Sequence, residues 1–334
     1  MARRRERVDR GIKVRSEDVY ALTSWREMLY LAAPRVLPVV ALFVLGMTAS
    51  VYWERVLVST CMFAMLAISW DVLNSAGMVS LGQALFFGMG AYIAGTLNHY
   101  LGLGPWLTLP LATLGGGLVC TLVLLPVLRL RGIYFAMVTL ILPLMIERVI
   151  EATKIFGGTE GLSGLTPLGS EHVQFLVALV AVWVALYGFR RMMGTDYGLL
   201  LKGIKDNDRA VMSAGINIYW YKAQALFLAS AVGAFAGAFM THAYQFVGMP
   251  VFALDYSIMP IASVAVGGMG TLAGPMLGSF ILVPLSELLR GLGGLRTVIY
   301  AVILVACTVG LPEGVFHYLA RKYTQFERWA EVDK

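Results

Sequence analysis

The sequence predicts an all-α polytopic membrane protein of about nine transmembrane helices, with two glycine-interrupted segments related as an internal repeat. Three observations carry that prediction. Of the 334 residues, 58% are hydrophobic and only 14% charged, with a mean hydropathy of +0.74, a composition outside the range of soluble domains. The apolar residues fall in runs of roughly 15 to 22, most of them long enough for a hydrocarbon core of about 30 Å. A single polar island, Asp196–Lys222, sits between two such runs and holds Asp196, Lys202, Lys205, Asp206, Asp208, Arg209 and Lys222.

The N-terminal stretch 1–33 is basic but lacks the apolar core and small-residue cleavage site of a signal peptide, so it reads as a retained cytoplasmic tail. Val19, Leu22, Trp25, Leu29 and Leu31 fall among charges within it, consistent with a short interfacial helix before the first span. A transmembrane domain over 34–312 follows. Its first apolar run, Pro34 to Trp53, ends on the aromatic anchor Tyr52–Trp53, and Glu54 and Arg55 form an expected short turn. Val56 to Leu73 is the next run. After it, NSAGMVSLGQALFFGMGAYIAG is interrupted by Gly77, Gly82, Gly88, Gly90 and Gly95 and carries polar Asn74, Ser80 and Gln83. Such a stretch suits a tightly packed helix, or a broken one whose irregular backbone lines a cavity enclosed by protein.

Leu107 to Leu128 is closed by Arg129 and Arg131, and Ile133 to Ile150 is followed by the polar, glycine-rich loop ATKIFGGTEGLSGLTPLGSE. Val173 to Phe189 ends at Arg190 and Arg191, just before the island. Within the island Leu200, Ile204, Val211 and Ala214 recur at helical spacing with Gly215 as a C-cap, which predicts one or two short amphipathic helices on the membrane surface. Ala223 to Tyr244 carries small residues at Ala229, Gly233 and Gly237, four apart, as a packing face. Residues 257–290 are too long and too glycine-rich for one helix and read as two spans joined at GGMGTLAGP. Thr297 to Leu311 is the last span, and 313–334 is a polar cytoplasmic tail.

With the N-terminus inside and strict alternation, 21 of the 26 Lys and Arg residues fall on the cytoplasmic side, in 1–35, at Arg129 and Arg131, in Arg190–Lys222 and in the C-terminal tail. That asymmetry sets the orientation. The net charge of +6 is thereby a matter of topology, and no nucleic-acid-binding module is visible. Cys61, Cys120 and Cys307 lie far apart in apolar runs with no C-x-x-C pair, which supports neither disulfides nor a metal site. His99, His172, His242 and His317 fall near span ends in unrelated segments and are expected to be interfacial rather than catalytic. Asp71 and Glu287 are the main carboxylates within the apolar runs.

Met78, Ser80, Leu81, Gly82 and Gly88 match Met269, Thr271, Leu272, Ala273 and Gly278 in order. Paired interrupted segments in two halves of a chain point to the central pathway of a transporter, here as a parallel repeat. The pathway candidates are Asn74, Ser80, Gln83 and Thr271.

Five ordered motifs, LNSAGMVSLGQALFFGMGAYIAG, GIYFAMVTL, GGTEGLSG, the island with LASAVGAFAGA, and VGGMGTLAGPMLGSF, resemble the LivM-type permease subunit of branched-chain amino acid ABC importers over residues 36–312. The resemblance implies a subunit without a catalytic site or cofactor of its own, ATP being used by partner subunits. It implies a multi-pass protein of the bacterial inner membrane, in contact with lipid and paired with a second permease, two cytoplasmic ATP-binding subunits and a periplasmic substrate-binding protein. The cytoplasmic coupling segment, 191–222, then carries its ATPase contact on Gly203, Ile204, Asp206, Asp208, Arg209, Ala210, Ala214, Gly215 and Ile216. Gln83 departs from a histidine usual in the family, and Leu199–Leu201 from a more basic run. Relatives with this pattern also serve urea, short amides and aromatic acids. An ion-coupled secondary transporter is the alternative of a different class, and it would call for more intramembrane carboxylates than the sequence has.

Overall fold

The computed structural model describes residues 50–327 apart from Gly294 and Pro312, together with 5–7, 329–331 and scattered positions between 38 and 48. The helices are α1 (Val51–Ser75), α2 (Gln83–Leu101), α3 (Pro105–Leu124), α4 (Ile133–Thr153), α5 (Glu171–Met193), α6 (Asp196–Ser213), α7 (Ile218–Tyr244), α8 (Asp255–Gly267), α9 (Ala273–Leu288), α10 (Leu295–Gly310) and α11 (Val315–Glu327). A two-residue antiparallel pair, β1 (Leu162–Ser163) with β2 (Phe246–Val247), closes the end of the bundle away from Arg131. Among the described residues, seven helical segments are long and apolar enough to cross a membrane: α1, α3, α4, α5, α7, Met249–Gly267 and Ala273–Leu292. α2 is interior, most of its residues being buried, and α10 has 16 residues. The apolar run 34–53 lies largely outside the described residues.

The turn expected at Glu54–Arg55 is instead the opening turn of α1, with Glu54 N–H donating to Ser50 O at 2.9 Å. An acidic residue in a first turn faces the positive end of the helix dipole, which favours continuing the helix through it. α1 and α7 form the centre. In α1, 89% of the membrane-length window is buried, against 28% in α4. α7 packs on α1, α2 and α3, while α9 packs on α1 and α8.

Glycine makes these contacts possible. A Cβ on Gly237 would lie 1.8 Å from Phe87 O, and one on Gly90 would lie 2.0 Å from Ala234 O, so α2 and α7 touch backbone to backbone at two reciprocal points. The α8–α9 hairpin repeats the device: a Cβ on Gly267 would lie 1.8 Å from Gly274 O, and one on Gly278 1.9 Å from Ser263 O. Close approach of this kind replaces the hydrophobic effect, which does not drive helices together in lipid, with dense van der Waals contact.

One turn of α1 holds both glycine-rich segments. Ser69 shares its hydroxyl proton between Ala229 O at 2.8 Å and Gln83 Oε1 at 3.3 Å. Trp70 Nε1 donates to Ser80 O at 2.6 Å. Asp71 accepts from Gly270 N–H on Oδ1 at 2.7 Å and from Leu272 N–H on Oδ2 at 3.1 Å. Because successive residues on a helix point about 100° apart, three neighbours in sequence reach three separate elements. Gln83 meets Ser69, six residues before the end of α1, so the chain after α1 turns back along that helix by about 9 Å before α2 begins.

Two stability predictions follow from these contacts. Gly237→Ala should cost about 1–3 kcal/mol through overpacking, read as a lower thermal midpoint in detergent, whereas Gly188→Ala, where a Cβ meets nothing within 4 Å, should not; equal midpoints would refute the backbone contact. Asp71→Ala strands the buried Leu272 N–H at about 1–3 kcal/mol and frees the Gly270 N–H, and should open the 268–272 loop to limited proteolysis, with Asp71→Asn intermediate because it keeps one acceptor oxygen.

Candidate functional site

At the end carrying Arg131, α6 forms a docked, kinked helix. It starts directly after α5, where Gly198 lies so close to Met193 that a Cβ would be 2.4 Å from its Cα. The helix breaks at Asn207 (φ −156°, ψ 92°), whose Oδ1 accepts from Ala210 N–H at 3.1 Å and caps the second piece. Gly215 (φ +82°) then ends it, its N–H donating to Met212 O at 2.9 Å. The island is thus two short helical pieces, as its periodicity predicts.

The inward face of α6 is set by Leu201 and Ile204, both buried with Leu73, Met78, Leu128 and Phe135. Gly77 (φ +73°) brings the preceding loop within 3.1 Å of Lys205 Cα, measured from an ideal Cβ. Tyr197 anchors the start of the helix against Tyr221, with ring centroids 5.9 Å apart, and burial pushes its phenol up to about 12. Asp208 turns inward to Arg131, Nε to Oδ2 3.1 Å, with the two side chains 49% and 20% exposed; at that exposure the pair orients the helix more than it stabilises it. Gly77, Arg131, Asp208 and Lys222 line a cleft of about 340 Å³ between α6 and the bundle.

The nine residues expected to contact an ATPase therefore divide. Ile204 is 2% exposed and anchors the helix from its place on the apolar stripe. Asp208, Gly203 and Ile216 are half-buried, while Asp206, Arg209, Ala210, Ala214 and Gly215 face outward. Lys202 and Lys205 are exposed beside them and extend the same surface.

Of the four pathway candidates, Asn74, Ser80 and Gln83 are buried and Thr271 is half-buried. Ser80 and Thr271 do the same local job, each hydroxyl oxygen accepting from a backbone N–H at or just before the start of the next helix: Gly82 N–H at 3.1 Å and Gly274 N–H at 2.9 Å. Gln83 Nε2 has no hydrogen-bond partner among the described residues, which leaves a buried amide donor facing the junction of α1, α2 and α7. The structure gathers Ser80, Gln83 and Thr271 around Ser69–Asp71.

Sequence reasoning missed several polar groups. Asp71 was visible only as an isolated carboxylate in an apolar run; it is the clamp on the 268–272 loop. His242 is not interfacial but 0% exposed, bridging Thr108 Oγ1 at 2.6 Å through Nε2 and Thr166 O at 2.8 Å through Nδ1. Asn98 ties the same loop, with Thr166 N–H donating to its Oδ1 at 3.0 Å. Glu54 is buried against His172, Nδ1 to Oε1 2.8 Å. Among the described residues no group of three or more His, Cys, Asp and Glu side chains is arranged to hold a metal ion, and Cys61 and Cys120 are buried free thiols.

The chain is similar in sequence to known transport permeases. The chain is 29% identical over 275 residues to the high-affinity branched-chain amino acid transport system permease protein LivM of Escherichia coli (strain K12), covering 73% of this chain and 65% of that one, and equally to LivM of Salmonella typhimurium. It is 25% identical over 216 residues to a probable branched-chain amino acid transport permease protein LivM of Methanocaldococcus jannaschii, covering 58% of this chain and 63% of that one. The chain thus spans somewhat under two thirds of the length of these relatives. No solved structure matches it. The family described as branched-chain amino acid transport system / permease component matches residues 52–309, most of the helical bundle, and the chain belongs to that family.

Proposed function

We propose that this chain is one transmembrane half of an ATP-driven importer for branched-chain amino acids, paired with a second permease, driven by two cytoplasmic ATP-binding subunits and supplied by a periplasmic binding protein. The substrate class is carried by the relatives' names. The coupling role is supported by one observation above others: α6 is a rigidly seated helix whose outer face, with Lys202, Lys205, Asp206 and Arg209, is left exposed. On this reading that end is cytoplasmic, in a bacterial inner membrane, with both tails on the same side, as the 21 basic residues there favour.

Force from an ATPase would pass through contacts already described. α6 presses on the Gly77–Met78 loop, and that loop continues into Ser80 and Gln83, which Trp70 and Ser69 hold. The neighbouring Asp71 holds Gly270 and Leu272. A displacement of α6 is thus transmitted to both glycine-interrupted segments, which this reading treats as a parallel internal repeat lining the path with Asn74, Ser80, Gln83 and Thr271. Few charges along the path suit an importer whose selectivity lies mainly in a separate binding protein.

Arg209→Glu should reduce association with the ATPases and ATP-driven leucine uptake in reconstituted vesicles by about tenfold, the equivalent of one lost charged contact, with membrane insertion unchanged; undiminished uptake would refute the docking role. Ile204→Ala acts from the other face. It should cost about 2–5 kcal/mol of stability and leave ATP hydrolysis running faster than transport, since the docking surface survives while its anchor is loosened.

A further inference from the structure

At the end of the bundle opposite α6, two cavities of different character share a wall. The larger, about 470 Å³, is polar and is lined by Glu54, Arg55, Ser170 and Glu171 together with Met240 and Tyr244. The smaller, about 150 Å³, is lined by Phe87, Val251, Tyr256 and Gly237 and again by Met240 and Tyr244. Met240 and Tyr244 are one turn apart on α7, so one face of that helix separates the two spaces. The volume of the smaller one is on the order of that at which an apolar protein cavity accepts a six-carbon guest. Its aromatic wall is rigid: Tyr256 stacks on Phe87 with centroids 4.2 Å apart and on Phe63 at 5.6 Å.

Two carboxylates in the wall of the polar cavity each keep an oxygen without a donor among the described residues. Glu54 is 1% exposed; its Oε1 is taken by His172, and its Oε2 has no partner among the described residues. Glu171 accepts from Arg55 Nε at 3.1 Å, and from Arg55 Nη2, on Oε1, leaving its Oε2 buried and equally without a partner. Two buried carboxylate oxygens without donors are costly unless a ligand supplies them. An ammonium group, with three N–H donors and a positive charge, is the ligand group that suits such acceptors, and both carboxylates line the cavity. Arg55 uses two of its five donors on Glu171 and is 67% exposed, so its remaining N–H groups are available to a carboxylate.

We infer that the two cavities form one amphipathic site for a zwitterionic α-amino acid with an aliphatic side chain: the ammonium group lies against Glu54 and Glu171, the carboxylate on Arg55, and the side chain passes Met240 and Tyr244 into the aromatic pocket. This rests on the reading of the chain as an amino acid permease and gives that reading an entry site, remote from the glycine-rich junction at Ser69–Asp71.

The test is direct binding of radiolabelled L-leucine to the purified full chain in detergent, with isoamylamine, 4-methylpentanoate and glycine as competitors. Leucine should bind saturably and glycine should compete poorly. Glu54→Gln should weaken leucine and isoamylamine about tenfold, the scale of one lost charge-assisted contact, and leave 4-methylpentanoate unchanged. Arg55→Ala should do the reverse, weakening leucine and 4-methylpentanoate and sparing isoamylamine. Should Glu54→Gln fail to insert, Arg55→Ala, at an exposed position, carries the test alone. The site is overturned if wild-type chain shows no saturable leucine binding, if glycine competes as well as leucine, or if either variant weakens all three leucine-like ligands alike. ATP-driven leucine uptake by the assembled complex, measured in parallel, separates the two ideas: uptake without binding here removes the site and keeps the function, and binding without uptake removes the function and keeps the site.

Discussion

The carboxylate of Asp71 and its two neighbours on α1 are the constraint on which the rest of the architecture depends. A glycine-rich loop between two helices has backbone N–H groups that no helix satisfies, and those that are buried need an acceptor. Asp71 supplies acceptors to two of the loop's N–H groups, at Gly270 and Leu272. Leu272 also sits at φ +58°, a conformation that costs a residue with a Cβ on the order of 1–3 kcal/mol. The clamp offsets that strain and fixes where α9 begins. On the same turn Trp70 and Ser69 position the other interrupted segment, so the starts of α2 and α9 are both referred to one rigid helix.

Backbone-to-backbone packing makes this arrangement stiff. α7 lies on α2, and α8 on α9, with a glycine on one side of each closest contact set against backbone on the other, which leaves little room to yield at those points when one helix moves. A push at one end is then passed on as a rigid shift. On the proposed reading α6 is the receiving end, with apolar side chains inward at Leu201 and Ile204, an interhelical pair between Asp208 and Arg131, and a charged outer face. The opposite end is built differently, from polar groups that knit the loops together. His242 and Asn98 tie the 162–168 segment to α2, α3 and α7, and Glu54 and Glu171 keep oxygens to spare beside Arg55.

Much of this was legible in the sequence. The helical class, the amphipathic island with its capping glycine, and the two glycine-interrupted segments follow from periodicity and composition, because helix faces and breaks are local properties. The small-residue face Ala229, Gly233 and Gly237 was legible for the same reason, and it packs on the α1–α2 side of α7. The boundary at Glu54 was not: a charged pair between apolar runs reads as a turn, yet here it opens a helix because Glu54 finds His172 in a segment more than a hundred residues away. His242 was misread as interfacial on the same ground, since its partners at Thr108 and Thr166 come from two other segments.

By itself, then, the sequence determined which stretches are helical, which face of the island is apolar and where glycine permits close approach, all of which are set by neighbours within a turn or two. Only the tertiary structure decided which helices are central, that Ile204 anchors while Arg209 faces out, that Asp71 serves a loop about two hundred residues away, and that a polar and an aromatic cavity meet across Met240 and Tyr244. The reason is physical. A buried polar group is stable only with a partner, and in this chain the partners of Asp71, Glu54 and His242 are distant in sequence, so their roles exist only once the bundle has closed.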